Sequence, residues 1–133
     1  MVKNIIVIGC GNIGSRHIQA LAKLQFNTHI EIVDPNLNSH KIAQLRLNEV
    51  SYDKQKHEFF WHTSISEIKQ KNNDLVIIAT TAMNRISILE QLLLLNNLKF
   101  LIEKMVCQSV KEYEKILDLM KKFMDLNHSL VVF

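Results

Sequence analysis

Only three glycines occur in 133 residues, and all three, Gly9, Gly11 and Gly14, lie within six positions. Glycine alone enters left-handed backbone freely and lets a second chain or a ligand approach without a side chain in between. A chain that concentrates it in this way needs it there for backbone reasons. The segment Gly9-Cys10-Gly11-Asn12-Ile13-Gly14 reads G-x-G-x-x-G. Before it, Ile5-Ile6-Val7-Ile8 is a continuous β-branched run, the pattern of a strand buried on both faces of a parallel sheet. After it, Ile13, Ile18, Leu21 and Leu24 recur at helical spacing and predict a helix from Ile13 to about Leu24. In a strand–turn–helix unit of this kind the first glycine permits the tight turn and the second admits a pyrophosphate. The third lets the helix pack closely on the strand. The helix then offers its free N–H groups and positive dipole end to the diphosphate, with Gly9, Gly11, Asn12, Ile13 and Gly14 as its cradle. Taken alone, the same glycines also suit a turn that merely needs them.

The next strand, Ile30-Glu31-Ile32-Val33, ends in Asp34, 20 positions after Gly14. A carboxylate there accepts hydrogen bonds from ribose hydroxyls and repels a 2′-phosphate, favouring NAD as the cofactor over NADP. The competing reading is a turn aspartate before Pro35. Arg16 and His17 follow the glycines, each facing either the cofactor or solvent. Cys10 reads as a small filler rather than a redox centre.

Further along, strand-like and helical stretches alternate. A helix is predicted over Leu37–Leu47, with Leu37, Ile42 and Leu45 inward, and a polar surface excursion over Asn48–Glu58. Phe59-Phe60-Trp61 is a third strand, and Ser64 with Glu67 forms a capping box that starts a short helix. Leu75–Ala79 is a fourth strand, followed by a helix over Asn84–Leu95 and a fifth strand at Phe100-Leu101-Ile102. A second capping box, Ser109 and Glu112, opens a helix carrying Val110, Tyr113, Ile116, Leu117, Met120, Phe123 and Met124 at three- and four-residue steps. Leu130–Phe133 is a sixth strand. The expected fold is α/β: a doubly wound, mostly parallel six-stranded Rossmann sheet in a three-layer αβα arrangement, one NAD(P)-binding domain over residues 1–133.

Composition narrows the function classes. The net charge of +3 comes from scattered basic residues, with no patch of the kind that grips nucleic acid. Cys10 and Cys107 are far apart and lack metal-ligand spacing, so no metal site is expected and both read as free thiols of a reducing cytoplasm. No signal-peptide layout opens the chain, and no apolar run approaches the ~20 residues a membrane span needs.

A second group of residues ends strands four and five: Ala79-Thr80-Thr81 and Ile102-Glu103-Lys104-Met105. Strand ends of an open α/β sheet border the ligand crevice. With Gly9–His17 (GCGNIGSRH), Val76–Thr80 (VIIAT) and Glu103-Lys104 before the capped helix, the chain resembles the Gfo/Idh/MocA oxidoreductases over essentially its whole length, as their N-terminal domain. Thr81 replaces that family's proline after Ala-Thr, Arg85 takes its nearby histidine position, and Met105 replaces the proline of Glu-Lys-Pro. The resemblance implies that Lys104 is the catalytic residue, reaching the nicotinamide ribose and a substrate hydroxyl as proton carrier. It implies that Glu103 orients Lys104 or contacts ribose, and that Thr80, Thr81 and Arg85 border the cofactor. Simpler roles also exist: strand termination for the threonines and a surface salt bridge for the lysine.

The resemblance implies hydride transfer between a nicotinamide dinucleotide and a secondary alcohol of a sugar, cyclitol or nucleotide-linked sugar. The sugar-like substrate would be held only with a C-terminal substrate domain, expected to be absent from this chain, and a homo-oligomer is compatible with the pattern. The alternative is a non-catalytic, nucleotide-sensing Rossmann module of the potassium-transport type, which gives no reason for Glu103-Lys104. A methyltransferase fits worse, because Val7-Ile8 stand where its cofactor loop carries an acid.

Overall fold

The structure, a computed structural model, describes residues 1–70, 72–95, 99–104, 107–124 and 129–132. Six strands, β1 (Lys3–Ile8), β2 (Thr28–Val33), β3 (His57–His62), β4 (Leu75–Ile78), β5 (Lys99–Ile102) and β6 (Ser129–Val132), form one sheet in the order β3-β2-β1-β4-β5-β6. Every neighbouring pair is parallel. The connections carry α1 (Asn12–Leu21), α2 (Leu37–Asn48), a single 3-10 turn (Ile65–Glu67), α3 (Arg85–Leu93) and α4 (Val110–Met124). The chain begins in the middle of the sheet, winds outward to β3, then returns to lay β4 on the other side of β1. That reversal opens a crevice beyond the C-terminal ends of β1 and β4.

Alternation along β1 sorts the core into two layers. Ile5 and Val7 join Ile30, Ile32 and Ile77 beneath Ile18 and Leu21 of α1 and Ala43 and Leu47 of α2. Ile6 and Ile8 join Val76, Ile78, Phe100 and Ile102 beneath Leu89 and Leu92 of α3 and Ile116 and Met120 of α4. A strand apolar at every position can pack against helices on both faces, which explains the unbroken β-branched runs. Within β2 Glu31 is buried, with Oε1 3.0 Å from His62 Nε2 and accepting more weakly from the Lys69 N–H.

Several expected details shift. On α2, Leu37, Ile42 and Leu45 are exposed, and His40, Ala43 and Leu47 form the buried stripe. The Asn36 side chain caps the helix by accepting from the Asn38 N–H, and His40 Nε2 donates to the Asp34 carbonyl at 2.6 Å. With His40 pinned against the end of β2, positions 43 and 47 follow it inward at helical spacing. Ile13 is 54% exposed, so the buried stripe of α1 is Gly14, Ser15, Ile18 and Leu21. The polar excursion ends earlier than expected, since β3 starts at His57, whose ring bonds the Thr28 hydroxyl across the register at 2.7 Å.

The first capping box is offset, and the second keeps its serine bond while its glutamate reaches one residue further back. Ser64 accepts from the Ser66 N–H, and Glu67 reaches back to the Thr63 N–H and hydroxyl, so only a 3-10 turn forms. Ser109 accepts from the Glu112 N–H while the Glu112 carboxylate takes the Gln108 N–H. On α4, Val110, Tyr113 and Leu117 are exposed and Ile116 and Met120 buried, while the side chains of Phe123 and Met124 lie outside the described residues. The final strand is one residue earlier than expected, and Phe133 lies outside the described residues.

Candidate functional site

A cleft of about 870 Å³ opens where the strand order reverses. Its floor is Ile8, Gly9, Gly11, Asn12 and Ile13; one wall is Val33–Pro35 with Thr63–Ile65, and the other is Ala79–Thr81 with Met83, Asn84 and the first turns of α3. This volume lies in the range of small-molecule sites.

The three glycines differ in what they accommodate. Gly9 has φ +90°, and a Cβ there would lie 2.9 Å from the Thr80 methyl group. A Cβ on Gly14 would lie 1.8 Å from the Gly9 carbonyl oxygen, so its absence lets α1 close on the strand-to-helix turn. At Gly11 the backbone is extended, φ −69°, and an added Cβ would meet nothing within 4 Å. Neither backbone conformation nor packing demands glycine there. What its missing side chain preserves is open space in the floor of the cleft, directly before the helix. The start of α1 has no side-chain cap, leaving its first backbone donors to whatever enters.

Asp34 closes β2 and serves the loop as well as the cleft. Its Oδ2 accepts from the Cys10 N–H at 3.0 Å and its Oδ1 from the Asn36 N–H at 2.8 Å. The turn role and the cleft-facing role therefore coexist. A carboxylate has about four acceptor positions, so capacity remains for ribose hydroxyls. Burial, then the Asp34 charge and a hydrogen bond to it, push the Cys10 thiol up to about 12. Beside the loop, Arg46 of α2 donates to the Ser15 hydroxyl at 2.7 Å and to the Asn12 side chain at 3.2 Å, placing a cation on the first turn of α1. Arg16 instead bonds Gln19 on the solvent side.

At the other wall, Thr80 and Thr81 line the cleft. Arg85 does not line it. Its buried guanidinium donates to the Thr80 hydroxyl and carbonyl, the Thr81 carbonyl and the Glu103 carbonyl. Its donors thus join the β4 and β5 ends to each other. Desolvation lowers its pKa, opposed by the nearby Glu103 and Cys107. Glu103 also stands back from the cleft lining, its Oε1 accepting from His17 Nε2 of α1 at 2.6 Å. Lys104 is exposed on the next position, and Met105 lies outside the described residues.

Sequence reasoning missed three contributors. Thr63–Ile65 follow β3, and the rule that ligands gather at strand ends pointed there. Arg46 and the His17–Glu103 pair carry no local signal, since their partners are 31 and 86 positions away. Among the described residues no group of three His, Cys, Asp or Glu side chains is placed to hold a metal ion, and no helix is long and apolar enough to cross a membrane.

Strand order and glycine cradle together define a dinucleotide-binding Rossmann domain. Residues 3–126 match the Gfo/Idh/MocA model, described as an oxidoreductase family with an NAD-binding Rossmann fold. The chain belongs to that family. Similar solved structures include a Gfo/Idh/MocA family oxidoreductase from Vibrio cholerae, with TM-score 0.73 and 20% identity over 98% of this chain and 38% of that one. Myo-inositol 2-dehydrogenase from Lactobacillus plantarum aligns with TM-score 0.74 and 16% identity, over 100% of this chain and 36% of that one. UDP-N-acetylglucosamine 3-dehydrogenase from Acidithiobacillus ferrooxidans gives TM-score 0.70 and 18% identity, over 99% and 38%. The chain thus spans little more than a third of these proteins' length. No curated protein matches the sequence.

Proposed function

We propose that this chain is the cofactor half of an NAD-preferring oxidoreductase that interconverts a secondary alcohol and a ketone on a sugar, cyclitol or nucleotide-linked sugar. The observation that carries this reading is Gly11, a glycine kept where neither strain nor packing requires it and where a side chain would enter the cleft. In this reading the uncapped start of α1, Asn12 and the Arg46 cation receive the diphosphate, and Asp34 receives the adenosine ribose. Thr80 and Thr81 border the nicotinamide half, and Lys104, one residue beyond the fixed Glu103, carries the substrate proton. When bound, nicotinamide accepts or returns the hydride.

The sugar-like substrate rests on the family resemblance and on the likeness to myo-inositol 2-dehydrogenase and UDP-N-acetylglucosamine 3-dehydrogenase; a similar oxidoreductase from Agrobacterium radiobacter was solved with NAD+. Family membership favours this reading over the nucleotide-sensing module. By the same resemblance, the substrate site would be completed by a separate substrate domain.

Calorimetric titration tests the cofactor assignment. NAD and ADP-ribose are expected to bind the full chain, NADP more weakly, and Gly11→Ala to cost tenfold or more in affinity, roughly the 1.4 kcal/mol of one decade, with the melting temperature unchanged or raised. Asp34→Ala is expected to weaken NAD more than NADP. Unaltered affinity in Gly11→Ala would remove the basis for the proposal.

A further inference from the structure

Glu103 is held through every group it can bond with. Its N–H donates to the Ile78 carbonyl at 3.0 Å, continuing the β4–β5 ladder. Its carbonyl accepts from Arg85 Nη1 at 3.2 Å. Its carboxylate accepts from His17 Nε2 at 2.6 Å, the short distance typical of a charge-assisted bond. The carboxylate offers no proton when ionised, so the imidazole carries its hydrogen on Nε2. The first two bonds belong to the end of the sheet. The third is different, because His17 sits on α1, the helix whose start forms the phosphate end of the cleft. Neither residue belongs to the two apolar cores, and both side chains are about one-quarter exposed, at 23% and 25%. Core packing does not account for the contact. What it accomplishes is a tie between the phosphate helix and the strand end from which Lys104 projects.

We propose that His17 is a positioning residue of the cofactor site: by clamping the Glu103 carboxylate to α1 it fixes Lys104 at the nicotinamide end of the cleft. The proposal rests on the dinucleotide reading above and adds to it a residue whose action passes entirely through Glu103. Asp34, on the β2 side, serves the adenosine half, and the β4 and β5 ends serve the other half. Loss of the clamp therefore affects one half of the ligand and spares the other.

Paired titrations of the full chain separate these effects. ADP keeps the adenosine and the diphosphate of NAD but lacks both the nicotinamide and the ribose beside it that Lys104 would reach. His17→Ala is expected to weaken NAD roughly three- to tenfold, the worth of one hydrogen bond, and to leave ADP within twofold. His17→Gln, which returns an N–H near the position of Nε2, is expected to recover most of the loss. In a Lys104→Ala background, His17→Ala is expected to cost nothing further, because the group it positions is gone. Glu103→Gln keeps a weaker, neutral form of the bond and is expected to give a smaller loss of the same selectivity, which supplies the measurement if His17→Ala does not fold. Equal weakening of both ligands would show a general structural role and overturn the proposal, as would an unchanged NAD affinity or a loss that persists without Lys104. A wild-type chain that binds neither ligand would instead remove the dinucleotide reading itself, and the clamp with it.

Discussion

Cys10 stands between two glycines of the phosphate loop, and its side chain is fully buried. Its position invites a redox interpretation, yet its surroundings act the other way. Burial and the adjacent Asp34 carboxylate oppose the thiolate and push the thiol up to about 12, from an ordinary value of 9.0. Because the thiolate is the reactive form, alkylation at pH 8 is expected to mark the half-buried Cys107 and spare Cys10 until the protein is denatured. Peptide mass spectrometry checks this; equal labelling of both in the native state would count against it. The sign of the linkage follows from protons held. Between pH 9 and 12 the folded state keeps the thiol proton and the unfolded state releases it, so this contribution is whole below pH 9 and fades toward 12. Urea unfolding of Cys10→Ala is expected to show a shallower alkaline decline than wild type. The sequence pointed to a filler role here because a small residue between glycines has little room to do otherwise. It gave no sign that His17 and Glu103, 86 positions apart, would meet.

Strands were more legible than helix faces. In β1 and β4 the runs Ile5–Ile8 and Val76–Ile78 are unbroken β-branched residues, in β2 only Glu31 interrupts Ile30–Val33, and the boundaries of all three strands in the structure lie within about two residues of those read from sequence. Helix α2 was placed correctly and faced wrongly. Its apolar side chains Leu37, Ile42 and Leu45 face outward while His40 is tied to the Asp34 carbonyl, so anchoring rather than hydrophobicity sets its rotation. Arg85 shows the same limit at the first residue of α3. The position matched a family site position, but burial converts its guanidinium into a brace between two strand-end loops. Arg85→Met is expected to destabilise the domain by about 3 kcal/mol, since it leaves several carbonyls without their donor. Arg85→Lys is expected to recover under half of that, because one ammonium cannot reproduce the planar fork that spans both loops. Urea midpoints at constant slope measure both; an Arg85→Lys variant as stable as wild type would show that charge alone suffices.

At the scale of the molecule, the cleft draws on both halves of the sheet. Gly9–Ile13 sit at the seam, Asp34 and Thr63–Ile65 on the β2–β3 side, and Thr80, Thr81 and Met83 on the β4 side. The seam was readable from sequence because three glycines and one acid mark it locally. The walls were readable only in part, because Thr63–Ile65 become neighbours of the glycines only once β3 joins β2 in parallel register. A ligand long enough to touch both sides couples them, and its binding energy adds to the stability of the whole fold. NAD at 100 times its dissociation constant is expected to stabilise the domain by about 2.7 kcal/mol. Hydrogen exchange resolves where that stabilisation falls. With NAD, protection is expected to rise at the first turn of α1, at Ser64–Ile65 and at Thr80–Thr81, while the outer face of α4 around Val110 and Tyr113 stays unchanged. With ADP-ribose the first two regions should keep their protection and Thr80–Thr81 should lose much of theirs, because the nicotinamide is what reaches the β4 side. Protection confined to the same half of the sheet with both ligands would mean that the dinucleotide does not cross the seam, and that the β4 wall, with the Glu103–Lys104 strand end braced beside it, serves some other molecule.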